Sequence, residues 1–324
     1  MTENRKLIAS AAVPVVVVLS YSLVFHVDPF SLLFRLPWYF MPAFFAAYFL
    51  SNAVAAVRDS MITGLRYTTA LRARLLGNAV SLIIPGPLGA DLARALVYVN
   101  RGLKLEDALS YSFIIAFYDV VVGSFLYLAV LFVRPELLSV FYVLIAVVNI
   151  LYWLVIMGYM TGTAGSRLNR LEQLVFKRLE EYPEIINAYQ RAKDAIKGKL
   201  NPKLTVASTG LSALEYAVQA IPFYFIFSSY LYSLFVNQLY FVSLLVPIPS
   251  GAVSSELALT SILPPVYAIG LRVLELISYA TGFVFIREVS LSRLQEEIKR
   301  YGKVPQGAQP RGASDPDGRN NKGS

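Results

Sequence analysis

Asp91 and Arg94 lie three residues apart in an apolar stretch, so on a helix their side chains are neighbours on one face. They follow Pro85 and Gly89, which bound a Pro-Gly-Pro-Leu-Gly run that a regular helix cannot pass through unchanged. An arginine donates several hydrogen bonds to a phosphate, and a neighbouring carboxylate can hold the guanidinium or bind sugar hydroxyls. The pair therefore predicts a polar binding site. The alternative is an ion pair that only closes the chain reversal.

A second run of the same kind lies nearer the C-terminus. It repeats the Pro-x-Pro-x-Gly spacing as Pro247, Pro249 and Gly251, and an acidic residue, Glu256, follows it. A helix that restarts at Glu256 would point its N-terminal amides at the site, which suits a phosphate. A carboxylate in the first turn is equally explained as a favourable partner of the helix dipole.

Further ionisable residues lie inside apolar segments, where a charge is costly and commonly functional. Arg272 and Glu275, again three residues apart, can pair with each other. Arg272 can equally face Asp119 or Glu256. Asp119 and Glu215 lie near the middle of their segments, so they must have partners or carry a proton. A proton would make them candidates for proton-coupled movement, and the alternative is a hydrogen bond with a serine or tyrosine on the next helix.

The composition places these residues in a polytopic membrane protein. The 324 residues are 56% hydrophobic and 15% charged, which leaves more apolar surface than a soluble domain can bury. With no cysteine and a single histidine, His26, thiol chemistry and most histidine-based sites are excluded. No phosphate-binding loop or zinc motif occurs, so we expect no cofactor and no metal. We attribute the net charge of +8 to cytoplasmic loops and expect no nucleic-acid partner.

Hydropathy and turn residues predict an all-α fold of about six membrane spans. They are expected at residues 7–27, 36–57, 105–133, 137–160, 204–231 and 265–286. Two shorter apolar pairs, near 75–99 and 235–263, are broken by proline and glycine and predict re-entrant helical hairpins. The arginine-rich segment 58–74 is expected to lie along the membrane surface. The first apolar run has no small-residue cleavage site and is expected to be an anchor.

The two hairpins predict an inverted-topology repeat. Residues 1–161 form the first predicted membrane repeat. The second, over 137–286, overlaps a cytoplasmic amphipathic helical loop at 162–203. Residues 287–324 form a basic tail, predicted to be disordered from about 304. With both termini in the cytoplasm, lysine and arginine concentrate on the inner side, as the positive-inside rule requires.

With these motifs the sequence resembles the flippase-like integral membrane family defined by the transmembrane region of lysylphosphatidylglycerol synthases, as a distant member of archaeal type. The residues that match its motifs are Asn78, Pro85, Gly89, Asp91 and Arg94, then Pro247, Pro249, Gly251 and Glu256, and finally an intramembrane arginine, Arg272. Ser250 and Val253 stand where the family has glycine. Ala116 and Phe117 stand where it has a Glu-Arg pair, although Asp119 is kept.

The resemblance implies that the protein translocates or presents a lipid-linked polar headgroup in the cell membrane. Bifunctional members flip an aminoacylated phospholipid, and archaeal relatives are implicated in handling dolichol-linked sugars. The expected partners are therefore membrane lipids, either an anionic phospholipid or a polyprenyl- or dolichyl-phosphate sugar. The expected substrate-binding residues are Asn78, Pro85, Gly89, Asp91, Arg94, Asp119, Gly251, Glu256, Arg272 and Glu275. No catalytic residue is assigned, because a transporter-like role is favoured over an enzyme.

Two other functions fit the same residues. A membrane-embedded glycosyltransferase could use the same cavity with a polyprenyl-phosphate-linked sugar donor and with Asp91 or Glu256 as the base. A non-catalytic scaffold would bind partners through the loop at 162–203, and its function would not need Arg94.

Overall fold

Helices make up all the regular structure in the described part of the chain. The computed structural model describes residues 16, 18–20, 22–23, 36–83, 87–133, 137–165, 168–176, 183–246 and 253–288. In chain order the helices are α1 (Phe40–Thr63), α2 (Tyr67–Ser81), α3 (Pro87–Asn100), α4 (Leu105–Val130), α5 (Leu137–Gly162), α6 (Arg170–Phe176), α7 (Pro183–Lys199), α8 (Pro202–Gln219), α9 (Ile221–Phe227), α10 (Tyr230–Leu244), α11 (Ser254–Thr260) and α12 (Pro265–Ala280). Two 3-10 helices, Leu131–Val133 and Thr281–Glu288, extend α4 and α12.

Among the described residues, five stretches of helix are long and apolar enough to cross a membrane. They are Phe40–Thr63, Leu105–Val133, Val140–Gly162, Pro202–Phe227 and Pro265–Glu288. Each overlaps one of the predicted spans from the second to the sixth, so the all-α membrane class is confirmed. The first predicted span, at residues 7–27, lies largely outside the described residues, as does the tail after Glu288. The total of six spans therefore stays a prediction.

Short paired helices occur at both of the predicted hairpins. The helices α2 and α3 have 15 and 14 residues, so each is about 22 Å long and falls short of a bilayer core of about 30 Å. They pack against each other, and α10 likewise contacts the short helix α11. The connecting residues 84–86 and 247–252, which include Pro85 and Gly251, lie outside the described residues. Entry of both pairs into the bilayer from opposite sides stays a prediction, as does the inverted repeat.

The helix α4 lies at the centre of the bundle, where it packs against α3, α5, α7, α8 and α10. Gly123 allows two of these neighbours to approach closely. A side chain there would meet Phe241 of α10 at 2.4 Å and the Tyr216 hydroxyl of α8 at 2.8 Å. That hydroxyl donates a hydrogen bond of 2.7 Å to the Asp119 carbonyl. The crossing therefore places Asp119 among several helices.

The 3-10 helix after α12 fastens the end of the last span to the first hairpin. Gly282 lies so close to α2 that an added Cβ would be 1.9 Å from the Leu75 carbonyl oxygen. Glu288 then pairs with Arg72 of α2 at 2.8 Å and with Arg101, which follows α3. One carboxylate thus holds both helices of the hairpin.

The loop between the fourth and fifth predicted spans contains two helices, and α7 begins at Pro183, as the sequence predicts. Lys193 is fully buried, and its Nζ donates to Glu172 at 2.9 Å. Burial acts to raise the pKa of Glu172, but the hydrogen bonds from Lys193 and from the Asn169 backbone N–H outweigh it and hold the pKa below its usual value. This pair joins α6 to α7.

The prediction that residues 58–74 lie along the membrane surface is wrong for two of its arginines. Arg58 belongs to the span α1 and is fully buried, and Arg74 of α2 is 4% exposed. Of the four arginines in this segment, only Arg66 and Arg72 are exposed. The physical reason is that carboxylates on other helices meet the two buried guanidinium groups, and the segment by itself does not reveal them.

Replacing Gly282 with alanine should destabilise the fold. The new Cβ would push against the α2 backbone, and overpacking of this kind costs about 1–3 kcal/mol. Gly158→Ala on α5 is the matched control, because a Cβ there meets no atom within 4 Å. In detergent thermal unfolding, Gly282→Ala should melt several degrees below the wild type and Gly158→Ala should not. Equal melting temperatures for the two variants would contradict the close crossing.

The loop should loosen in acid. The folded-state pKa of Glu172 is lowered, so its stabilising pairing with Lys193 is present at neutral pH and is lost as the pH falls below about 4.5 through the folded pKa. Limited proteolysis should therefore cut the loop faster at low pH in the wild type. In Glu172→Gln the loop should already be cut faster at neutral pH and show a smaller acid response. An identical pH profile in both proteins would refute the assignment.

Candidate functional site

A network of five ionisable side chains, four of them buried and Asp119 partly buried, joins four helices, and we call it the central network. Its members are Arg58 and Asp59 of α1, Arg74 of α2, Asp119 of α4 and Glu215 of α8. These helices pack on one another, so side chains from distant parts of the sequence meet at one level of the bundle. A buried charge is tolerated only where opposite charges and hydrogen bonds compensate it.

The two arginines of the central network share its carboxylates. Arg58 Nη1 is 2.7 Å from Asp119 Oδ1, and Arg58 also donates to the adjacent Asp59. Arg74 Nε donates to Asp59 Oδ2 at 2.9 Å, and its Nη1 donates to Glu215 Oε1 at 3.0 Å. Arg74 Nη2 also reaches Asp119 Oδ2 at 3.3 Å. Each guanidinium therefore bridges several carboxylates, and α1, α2, α4 and α8 are held together around them.

Arg94 on α3 extends the network toward open space. Its Nη1 lies 3.3 Å from Asp91 Oδ1 and 3.5 Å from Asp119 Oδ2. The residue is 6% exposed, yet its Nε and Nη1 make no hydrogen bond with any described residue. Gly77 of α2 permits this placement, because a Cβ there would lie 3.0 Å from the Ala90 carbonyl oxygen and 3.2 Å from Arg94 Nε. Arg94 thus has unused donors in a buried position.

A second group of ionisable side chains, which we call the Arg272 cluster, comprises Glu256, Arg272, Glu275 and Tyr240. Arg272 Nε donates to Glu256 Oε1 at 2.8 Å, and its Nη1 pairs with Glu275. Tyr240 donates its hydroxyl to Glu275. Ser255 donates to the other oxygen of Glu256 at 2.9 Å. The sequence left Glu275, Asp119 and Glu256 open as partners of Arg272, and in the structure Arg272 pairs with Glu256 and Glu275.

Two adjacent cavities lie between the central network and the Arg272 cluster. Their volumes are about 230 and 180 Å³, and each has room for several waters or a small polar headgroup. Both are lined by Asn78, Arg94, Asp119, Phe241, Leu244, Glu275 and Tyr279. Arg74 and Glu215 line only the larger cavity, and Asp91 and Arg272 line only the smaller one. Three charged residues, Arg94, Asp119 and Glu275, are therefore shared by the two cavities.

The structure gathers most of the predicted site residues at the smaller cavity. Those that line it are Asn78, Asp91, Arg94, Asp119, Arg272 and Glu275. Glu256 is buried behind Arg272 and does not line either cavity, and Gly89 is buried in the first turn of α3. Pro85 and Gly251 lie outside the described residues. Asn78 donates to Asn52 Oδ1 at 3.0 Å, which orients its amide.

Sequence reasoning missed three members of the central network: Arg58, Asp59 and Arg74. The serine or tyrosine partner expected as an alternative for Asp119 and Glu215 is also wrong, since arginines hold both carboxylates. One signal was present. Two carboxylates deep in apolar segments require cations, and only arginines at the ends of other apolar segments could supply them.

Removing Arg74 should unfold or severely destabilise the protein. The change would leave Asp59, Asp119 and Glu215 short of positive charge in a buried site, which costs about 3–5 kcal/mol. Arg72→Gln on the same helix is the control. Its side chain is 45% exposed, and a surface pair is worth at most about 1 kcal/mol. Thermal unfolding of Arg74→Gln close to that of Arg72→Gln would show that the network is not what holds these helices.

Comparison with known proteins matches the chain to a family of membrane proteins. No curated protein and no solved structure matches the chain. The sequence profile described as "Lysylphosphatidylglycerol synthase TM region" matches residues 7–287, which is most of the chain. That family supports a membrane protein involved in handling lipids or phospholipids. The chain belongs to the lysylphosphatidylglycerol synthase TM region family.

Proposed function

We propose that the protein translocates or presents a lipid-linked polar headgroup, and that the two adjacent cavities hold that headgroup inside the membrane. The observation that carries the proposal is Arg94. It is buried, it lines both cavities, and its Nε and Nη1 lack hydrogen-bond partners among the described residues. A buried donor without a partner is costly, so its presence at a cavity wall favours a ligand that accepts hydrogen bonds.

A phosphate is the group that best suits these donors. Guanidinium groups bind phosphate oxygens through paired, charge-assisted hydrogen bonds. Asp91, 3.3 Å from Arg94, would hold the guanidinium in place or accept a hydrogen bond from a sugar or glycerol hydroxyl. Arg272 also lines the smaller cavity, where Glu256 and Glu275 already pair with it. An anionic phospholipid and a polyprenyl- or dolichyl-phosphate sugar share this chemistry.

Uncharged polar groups in the larger cavity suit the rest of such a headgroup. Asn52, Asn78, Gln219 and Asn237 bring side-chain amides to its wall, and amides both donate to and accept from hydroxyls. Apolar residues such as Phe44 form other parts of that wall. The hydrocarbon chain of the lipid would remain in the bilayer. In this proposal the protein is a multi-pass protein of the cell membrane with both termini in the cytoplasm.

The alternative function, a glycosyltransferase, needs a catalytic base at the cavity, and only one of the two candidate carboxylates lies there. Both oxygens of Glu256 accept hydrogen bonds, from Arg272 and Ser255, and the residue does not line either cavity. Among the two carboxylates first considered, only Asp91 lines a cavity. Geometry therefore favours binding and movement over sugar transfer. A scaffold would depend on the loop helices α6 and α7 and not on Arg94.

Arg94→Ala should lower headgroup movement at least about tenfold, because it removes the charge that meets the phosphate. The assay is reconstitution in liposomes with a labelled anionic phospholipid and, separately, a labelled polyprenyl-phosphate sugar. Arg66→Ala is the matched control, since Arg66 is exposed and does not line either cavity. Both variants are first checked for wild-type thermal unfolding.

Three results would overturn the proposal. Covalent transfer of the sugar to an acceptor would identify a transferase. Equal movement by Arg94→Ala and the wild type would remove the role of Arg94. Loss of function on shortening the 162–203 loop, with Arg94→Ala still active in cells, would indicate a scaffold.

A further inference from the structure

The charges of the central network, taken together with Asp91 and Arg94, do not balance. The Arg272 cluster likewise has one arginine for two carboxylates, and one of them, Glu275, lines the larger cavity. Within the described part of the chain, Arg58, Arg74 and Arg94 face four carboxylates, namely Asp59, Asp91, Asp119 and Glu215. Arginine keeps its charge in proteins, so full ionisation of the carboxylates would leave one uncompensated negative charge. One uncompensated negative charge in a buried site is costly, and a second one brought by an anion would cost more, so binding of an anion favours binding of a proton.

Glu215 is the carboxylate best placed to hold that proton. Asp59 and Asp119 each have two guanidinium groups within 3.3 Å, whereas Glu215 has Arg74 at 3.0 Å and Arg58 only at 3.6 Å. Asp91 is 20% exposed toward the smaller cavity. Glu215 is 5% exposed, and its Oε1 accepts from Arg74. Its Oε2 has no hydrogen-bond partner among the described residues, and Arg58 Nη1 lies 3.6 Å away. A proton on Oε2 would leave the hydrogen bond from Arg74 to Oε1 in place and would weaken only the 3.6 Å contact with Arg58.

We propose that Glu215 binds a proton together with an anionic headgroup at Arg94, so that the site takes up proton and headgroup as a neutral pair. This inference rests on the proposed function, because it needs an anion at Arg94. It adds a second ligand, the proton, and with it a source of energy for headgroup movement. The step is a simple protonation, in which the Glu215 carboxylate accepts a proton from water in the cavity that it lines.

Ion pairs connect the two positions. Arg94 lies 3.5 Å from Asp119, Asp119 pairs with Arg58 and Arg74, and Arg74 pairs with Glu215. An anion that engages Arg94 weakens its attraction for Asp119. The other two arginines then compensate Asp119 more fully and Glu215 less, so the proton affinity of Glu215 rises.

The groups around Glu215 come from every helix packed against α8. The helix α1 brings Arg58 and Asp59, α4 brings Asp119, and α2 reaches Glu215 through Arg74. The helices α9 and α10, which also pack against α8, bring only uncharged groups to the same cavity, among them Phe223, Asn237 and Tyr240. The one further carboxylate that lines it is Glu275 of α12, which pairs with Arg272. No other acidic or basic side chain among the described residues pairs with Glu215, so its proton affinity depends on this network.

The test measures proton uptake when a probe binds. The probes are dihexanoyl-phosphatidylglycerol and farnesyl-phosphoryl-mannose, which are both phosphodiesters and do not titrate near neutral pH. Calorimetric titration of the full chain in buffers of different ionisation enthalpy gives the protons taken up per probe. We expect uptake approaching one proton, and probe affinity that falls by up to about tenfold per unit of rising pH within the coupled range.

Glu215→Gln should reduce proton uptake to near zero and make probe affinity independent of pH. Glu106→Gln is the matched control, because Glu106 is a buried carboxylate of α4 that pairs with Arg191 and does not line either cavity. It should keep the wild-type proton uptake. Wild-type uptake in Glu215→Gln would overturn the inference.

A second measurement uses the wild type, so its result does not depend on correct folding of the Glu215→Gln variant. Binding of either probe should increase the infrared carbonyl band of a protonated carboxylic acid in protein labelled with ¹³C-glutamate. Binding with no change in that band and no proton uptake would overturn the proton coupling and leave the proposed function standing. Failure of both probes to bind would overturn the proposed function itself. Response to one probe only would identify the lipid class.

Discussion

A guanidinium group buried among apolar helices must be met by carboxylates, and the rest of this structure depends on that requirement. Arg58 and Arg74 keep their charge at any accessible pH, so the fold has to bring acidic side chains to them. The acids come from α1, α4 and α8, which are separated by long stretches of sequence. Apolar packing can join many pairs of helices in a membrane protein. These ion pairs determine which helices become neighbours and at which level of the bundle they meet.

Close backbone approach makes that selection possible. Gly77 brings α3 against α2, Gly123 brings α8 and α10 against α4, and Gly282 brings the end of the last span against α2. Small residues at helix crossings are the usual means of close packing in membranes, where helices gain little from the hydrophobic effect. Here they also set the reach of side chains. Arg94 meets Asp119 across α3 and α4 only because its helix can lie so near α2.

The cavities gain their properties from the imbalance of this network. A fully paired set of charges would be a structural feature with little reason to bind anything. Arg94 and Glu215 both line a cavity, and each keeps buried polar atoms that make ion pairs at most and no hydrogen bond with any described residue. These two groups are linked through shared ion pairs that can exchange partners with small shifts of the side chains. A ligand that binds at one end of such a network acts on the other end only if it changes these pairings.

The sequence by itself determined the membrane class, five of the spans and the positions of both short helix pairs, because hydropathy and helix breakers act locally. It also indicated Asp91, Arg94 and Arg272 as candidate site residues, since a charge inside an apolar segment is recognisable without knowledge of its partners. Only the tertiary structure decided that Arg58 and Arg74 are buried. At the ends of their apolar segments these arginines have the composition of a membrane surface, and their burial depends on carboxylates that other helices supply from far along the chain.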